Sequence, residues 1–136
     1  MKNKLFGLLL LLLPGVMFAS GKDIVETCPD LSLIKAEGIT SAKYYFTYGY
    51  LAYNKSHYNT DKEWIFGIGF IDASNSTKAE DKGNELLLNV TGEPTPTFDK
   101  SYRAWVCEYQ VADGYTAIAE TGRDLLMAPM VEARRK

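Results

Sequence analysis

The alternation of apolar and polar positions predicts a β-hairpin in the first half of the chain. From residue 39 to residue 53, aromatic and β-forming side chains recur at every second position. The many tyrosines and the internal Gly49 disfavour a helix, so we predict a single strand with Gly49 as a candidate bulge. Residues 64–73 alternate in the same way, with Phe70 on the face of the other large even-numbered side chains. The polar residues 54–62 supply the loop between the two strands.

A second hairpin is predicted towards the end of the chain. Residues 103–112 alternate as a strand, residues 113–114 form an Asp-Gly tight turn, and residues 115–121 return as the partner strand. Residues 93–97 contain two prolines, which cannot donate to a ladder of hydrogen bonds, so we predict an extended connector there. Residues 122–136 contain Leu125, Leu126 and Met127, which could pack, and end in three basic residues that are expected to form a solvated tail.

Helical spacing of apolar residues predicts two helices. A Pro-Asp pair precedes residues 31–37 and Gly38 follows them, which is typical of a short helix with a glycine at its end. Thr77 and Glu80 have the spacing of a capping box, in which both side chains satisfy free backbone N–H groups. The apolar residues that follow recur at helical spacing, and Gly92 is expected to stop this second helix.

The first residues of the chain predict export. Lys2 and Lys4 precede an apolar run, and small residues occupy Ala19 and Gly21, so residues 1–21 have the form of a cleavable signal peptide. The apolar segment is too short to cross roughly 30 Å of hydrocarbon as a helix. We therefore predict a single mature domain over 22–136 that is periplasmic or secreted and has no membrane span after cleavage.

Cysteine content and charge limit the class of protein further. Of 136 residues, 15 are basic and 17 are acidic, which is a poor balance for neutralising phosphates and argues against a nucleic-acid partner. Export makes a disulfide the expected state of the two cysteines, Cys28 and Cys107, for which one pairing exists. The predicted fold is α+β, with an antiparallel sheet of about four strands, two helices packed on one face and one disulfide.

The sequence offers few residues for catalysis or metal binding. His57 is the one histidine, and Ser56 and Asp61 lie too close to it in the chain for a relay geometry to be expected. A zinc site needs three or four suitable ligands, so no metal and no cofactor are predicted. A small secreted hydrolase that uses His57 with a carboxylate brought near by folding stays open as an alternative, and so does an inhibitor that inserts residues 54–61 into a partner enzyme.

A cluster of tyrosines is the feature with the most functional potential. Tyrosine presents a large apolar area with a polar end, which suits recognition of a protein, a small molecule or a glycan. The competing interpretation is ordinary core and sheet surface. The leading hypothesis is an exported non-enzymatic binding module with no assigned catalytic residue and unknown oligomeric state. Its predicted binding residues are Tyr48, Tyr50, Tyr53, His57, Tyr58, Asn59 and Trp64.

Several short motifs resemble a small family of exported proteins of unknown function from intracellular-living gammaproteobacteria. They are the Cys-Pro pair at residues 28–29, the Ser-His-Tyr-Asn run at residues 56–59 and the Trp-Val-Cys-Glu-Tyr strand at residues 105–109. The resemblance brings no activity, substrate or catalytic residue. It implies that the two cysteines pair, and that the loop over residues 56–60 is a candidate recognition site.

Overall fold

A computed structural model describes residues 26–122 and 127–134 of the chain. The predicted signal peptide, residues 1–21, lies outside the described residues, as does part of the predicted tail. The helices are α1 (Leu31–Glu37), α2 (Ser76–Leu87) and α3 (Met127–Arg134). The strands are β1 (Ser41–Tyr45), β2 (Gly49–Ser56), β3 (Trp64–Ile71), β4 (Thr97–Asp99), β5 (Ala104–Tyr109) and β6 (Thr116–Thr121).

The described strands form one antiparallel sheet in the order β1-β2-β3-β6-β5-β4. All residues of β3 are buried, because β2 and β6 flank this strand and both faces of the sheet are covered there. β1 and β4 are the two edge strands. The sheet is therefore best protected at its centre and more open at its two edges, β1 and β4.

The predicted fold of about four strands with two helices on one face is wrong, because the chain is mostly β. The stretch predicted as one strand over residues 39–53 turns back on itself and forms β1 and β2. β4 forms after the proline connector, where no strand is predicted. In addition, α3 forms within residues 122–136, where no helix is predicted. It packs on β6, and its Met130 joins a core cluster on the sheet face opposite α2.

Local capping signals predict α1 well and α2 less well. Asp30 accepts a hydrogen bond from the Ser32 N–H, and the helix ends before Gly38 as expected. In α2 the cap is Asn75, whose side chain accepts from the Lys78 N–H at 2.9 Å, so the predicted capping box at residues 77–80 is wrong. The second helix also ends at Leu87 rather than just before a glycine stop.

The sheet separates two hydrophobic clusters. The larger cluster, on the α2 face, includes Phe66, Ile68 and Cys107, and the smaller one, on the α3 face, includes Ile118 and Met130. A close approach brings α2 onto the sheet, since a Cβ at Gly83 would lie 2.7 Å from the Cβ of Ala52. No helix among the described residues is long and apolar enough to span a bilayer.

The strand alternation predicted for residues 64–73 fails at one position. Phe66 and Ile68 lie in the cluster on the α2 face, whereas Phe70 lies in the cluster on the α3 face. The Gly69–Phe70 peptide is cis, and the register between β2 and β3 shifts between Tyr50 and Ala52. The predicted placement of Phe70 with the other large even-numbered side chains is therefore wrong.

The predicted disulfide is confirmed. Cys28 and Cys107 are bonded, and their Cα atoms are 5.9 Å apart. The bridge joins the segment before α1 to β5. Beside it, the Tyr109 hydroxyl donates a buried hydrogen bond of 2.6 Å to the carbonyl of Pro29. These two links attach the start of the described chain to a late strand.

Candidate functional site

The turn between β1 and β2 gathers the aromatic residues that precede and follow it. The Tyr48 N–H donates to the Tyr45 carbonyl at 3.0 Å, and this bond closes a tight turn. Thr47 takes a positive φ of 74°, which a β-branched residue rarely adopts. We call the residues around this turn the aromatic tip; its members are Tyr44, Tyr45, Phe46, Tyr48 and Tyr50.

A glycine fixes the position of the aromatic tip on the sheet. Gly49 has a φ of 107°, and a Cβ at this residue would lie 2.8 Å from the Ile71 carbonyl oxygen. Only glycine fits the close approach of the turn to the end of β3. The residue predicted as a candidate bulge therefore begins β2 at the turn instead.

Part of the aromatic tip is packed and part faces solvent. Tyr48 packs against Phe70 with ring centroids 5.1 Å apart, and Tyr50 packs edge-to-face against Tyr44 at 5.2 Å. The Phe46 side chain is 82% exposed and that of Tyr44 is 56% exposed. Tyr48 and Tyr50 thus anchor the turn to the hydrophobic clusters on opposite faces of the sheet, while Phe46 and much of Tyr44 remain in water.

The predicted loop with the histidine is a separate structure at the other end of β2. We call residues 57–63 the His57 loop. The Thr60 N–H donates to the His57 carbonyl at 2.8 Å, and the Trp64 indole N–H donates to the Thr60 hydroxyl at 3.1 Å. Tyr58 and Asn59 both have positive φ. The loop is therefore held in one compact conformation by its own hydrogen bonds and by β3.

The structure does not bring the predicted binding residues together on one surface. Tyr48 and Tyr50 lie at one end of β2, and His57 and Asn59 lie beyond its other end, about 23 Å away at the usual rise per strand residue. Tyr53 is half-buried and packs against the cluster on the α3 face. The predicted set is divided between two ends of a strand and two faces of the sheet.

Two of the predicted binding residues are core residues. Trp64 is fully buried, and Tyr58 is buried in the cluster on the α2 face. Burial is also the main cause that raises the pKa of the Tyr58 hydroxyl, with the nearby Glu37 as a second cause. These buried side chains offer no surface to a ligand. They pack in the core beneath the His57 loop and β3.

The groups that a hydrolase would need are engaged otherwise. The Ser56 hydroxyl donates to Glu37 of α1 at 2.8 Å and accepts from the Tyr58 N–H at 3.0 Å. Within the described ranges, no hydrogen bond joins the imidazole of His57 to Ser56 or to a carboxylate. No group of three or more His, Cys, Asp or Glu side chains in the same ranges is arranged to hold a metal ion.

Sequence reasoning missed the two most exposed members of the aromatic tip as site residues. In the predicted strand, Tyr44 and Phe46 share a face with Tyr48 and Tyr50, but only Tyr48 and Tyr50 are predicted as binding residues. A signal was present, because positions 46–48 lie between two dense aromatic runs and just before a glycine. Without a proline, asparagine or aspartate to mark it, this turn has no ordinary sequence signature.

Comparison with known proteins gives a family without an assigned activity. Residues 27–134 match DUF4949, which is described as a domain of unknown function. No curated protein and no solved structure matches the chain. The match covers most of the chain, including the disulfide, the aromatic tip and the His57 loop, and the chain therefore belongs to the DUF4949 family.

Proposed function

We propose that the protein is an exported, non-enzymatic binding module that contacts its ligand through the aromatic tip. The observation that carries the proposal is the exposure of Phe46 in the turn of an edge hairpin and of Tyr44 in the strand just before it. Aromatic side chains provide much of the binding energy at recognition surfaces because they bury a large area with few rotatable bonds. In this proposal Tyr48 and Tyr50 anchor the turn that presents the exposed rings.

The disulfide supports the exported part of the proposal. Such bonds persist in oxidising compartments and are rare in the cytosol. The bridge between Cys28 and Cys107 is distant from the aromatic tip in the sheet order, because it lies on β5 while the tip joins β1 and β2. The disulfide therefore acts as a structural link. It does not cover the aromatic tip, which stays available for binding.

The proposal is tested by photo-crosslinking in the cells that make the protein. A benzophenone amino acid replaces Phe46 in one variant and Leu88 in another, since Leu88 is also strongly exposed, at 72%, but lies at the end of α2. We expect irradiation to give discrete adducts from position 46 and none of the same adducts from position 88. A further Tyr44→Ser substitution is expected to reduce the adducts from position 46.

Two results would contradict the proposed function. Identical adducts from positions 46 and 88, or no adduct from position 46, would remove the aromatic tip as the binding surface. Turnover in a substrate screen that His57→Ala abolishes, in a variant shown to be folded by circular dichroism, would replace the binding module with the hydrolase alternative.

A further inference from the structure

The hairpin that carries the aromatic tip differs in charge from the rest of the chain. The chain has 17 acidic residues, but none of them occurs between residues 38 and 60. Lys43 lies on β1 beside the turn, with its ammonium group 5.3 Å from the centre of the Tyr45 ring. On the neighbouring strand, the exposed Asp72 directly follows Ile71, the partner of Tyr50, so one acid lies close to the tip. The hairpin itself carries Lys43 and Lys55 and no acid, and this charge favours an anionic partner.

The shape of the aromatic tip favours a partner that accepts a protruding group. Sites for small ligands are concave and enclose most of the ligand. The aromatic tip is a convex turn at the edge of the sheet, and its most exposed residue, Phe46, is in the turn itself. A projecting ring flanked by tyrosines cannot enclose a ligand. It can instead insert into a deformable surface or into a pre-formed cavity of a partner.

The membrane–water interface accepts this combination of residues. Tyrosine rings concentrate at the level of the lipid headgroups, phenylalanine enters the boundary of the acyl chains, and lysine is attracted to anionic lipids. We propose that the aromatic tip inserts into the headgroup region of an anionic lipid bilayer, with Phe46 entering deepest and Lys43 facing lipid phosphates. This proposal rests on the function proposed above and names the partner of the same surface.

The same observations weigh against a second copy of the chain as the partner. Two copies joined through their β1 edges would bring their Lys43 residues towards each other, and lysine on an edge strand opposes such pairing. Stable protein interfaces bury on the order of 1,000 Å² or more. Two exposed rings at a single turn offer much less, whereas shallow insertion into a bilayer needs only a few aromatic side chains.

Sedimentation with lipid vesicles tests the proposal. The whole chain is mixed with vesicles of phosphatidylcholine alone or of phosphatidylcholine with phosphatidylglycerol, and the partition coefficient is measured at low and high salt. We expect stronger binding to the anionic vesicles, weakened by salt. Phe46→Ser should lower the partition coefficient on the order of tenfold through lost apolar burial. Lys43→Gln should lower it about fivefold, and only with the anionic lipid.

The control is Leu88→Ser, which removes a similarly exposed apolar side chain away from the aromatic tip. Every variant is expressed as the whole chain and recovered from the exported fraction, so all of them have the same N-terminus. A partition coefficient that Phe46→Ser leaves unchanged, or that Leu88→Ser lowers equally, would overturn the bilayer proposal. If position 46 still gives crosslinks to a protein or glycan, the proposed function survives that failure; if it gives no adduct of any kind, both fail.

Discussion

Two hairpins of the sheet, β1–β2 and β5–β6, use similar aromatic sequences for opposite purposes. In the β5–β6 hairpin, Cys107 and Tyr109 are buried, and their disulfide and hydrogen bond attach the strand to the segment before α1. In the β1–β2 hairpin, the aromatic residues pair with one another, and Phe46 and Tyr44 remain largely in water. One hairpin is fixed into the fold and the other presents a surface.

Position in the sheet explains this difference better than composition does. β6 lies beside the fully buried β3, so side chains on both of its faces meet other elements. β1 is an edge strand, and its turn extends beyond the side chains that cover either face of the sheet. An aromatic residue therefore contributes to stability in the β5–β6 hairpin and is available for contact in the β1–β2 hairpin.

The largest expected effect is removal of the bridge that fixes the β5–β6 hairpin. The variant Cys28→Ser with Cys107→Ser should lose about 4.5 kcal/mol of unfolding free energy, because the bridge spans 79 positions of sequence and restricts the unfolded chain. Urea unfolding of the oxidised protein and of this variant measures the difference.

A reductant supplies the control for this prediction. Reduced wild-type protein should unfold at the same urea concentration as the serine variant, and the reductant should leave the variant unchanged. If the variant retains nearly all of the wild-type stability, the contrast between a fixed and an open hairpin loses its energetic basis.

The second expected effect concerns a buried carboxylate in the fixed hairpin. Glu120 of β6 is 1% exposed, lies opposite Ile65 and Val106, and has no hydrogen bond to its carboxylate oxygens within the described residues. Burial, with a smaller contribution from Asp99, raises the pKa of Glu120 to about 7. The folded state therefore holds this proton more tightly than the unfolded state does.

The sign of the pH dependence follows from that raised pKa. The stabilising contribution of protonated Glu120 is fully present below the ordinary carboxyl pKa and is lost as the pH rises through about 7. Glu120→Gln should match the wild type near pH 4 and should be more stable at pH 8 by about 3 kcal/mol. Unfolding at a series of pH values measures this difference, and equal pH profiles would show that Glu120 titrates normally.

The sequence predicts the parts of the fold that local capping residues mark or for which only one pairing is possible. The Asp30 cap and Gly38 mark both ends of α1, and the two cysteines permit one pairing. The sequence does not predict α3, because residues 122–136 show only a few apolar residues followed by a basic end. Pro129 fits this helix because proline is tolerated in the first turn.

The candidate site was predicted less well because its geometry depends on one unmarked turn. A single strand over residues 39–53 gives no sign that Phe46 is exposed at a turn, and it makes Tyr48 and His57 parts of one surface. The observed turn exposes Phe46 and leaves His57 at the far end of β2. The tyrosine cluster correctly drew attention to the hairpin, but alternation continues through the turn and does not reveal it.

The smallest expected effect tests whether the unmarked turn stores backbone strain at the open hairpin. Thr47 is exposed and has a φ of 74°, where a β-branched residue is unfavourable, so Thr47→Gly should raise the unfolding free energy by about 0.5 kcal/mol. Asn59→Gly is the matched control at a φ of 60° in the His57 loop, and asparagine tolerates this region, so its effect should be smaller. Urea unfolding of both variants measures the difference. A loss of stability in Thr47→Gly, or an equal gain in Asn59→Gly, would mean that the aromatic tip is not strained and that its exposed rings depend on packing alone for their position.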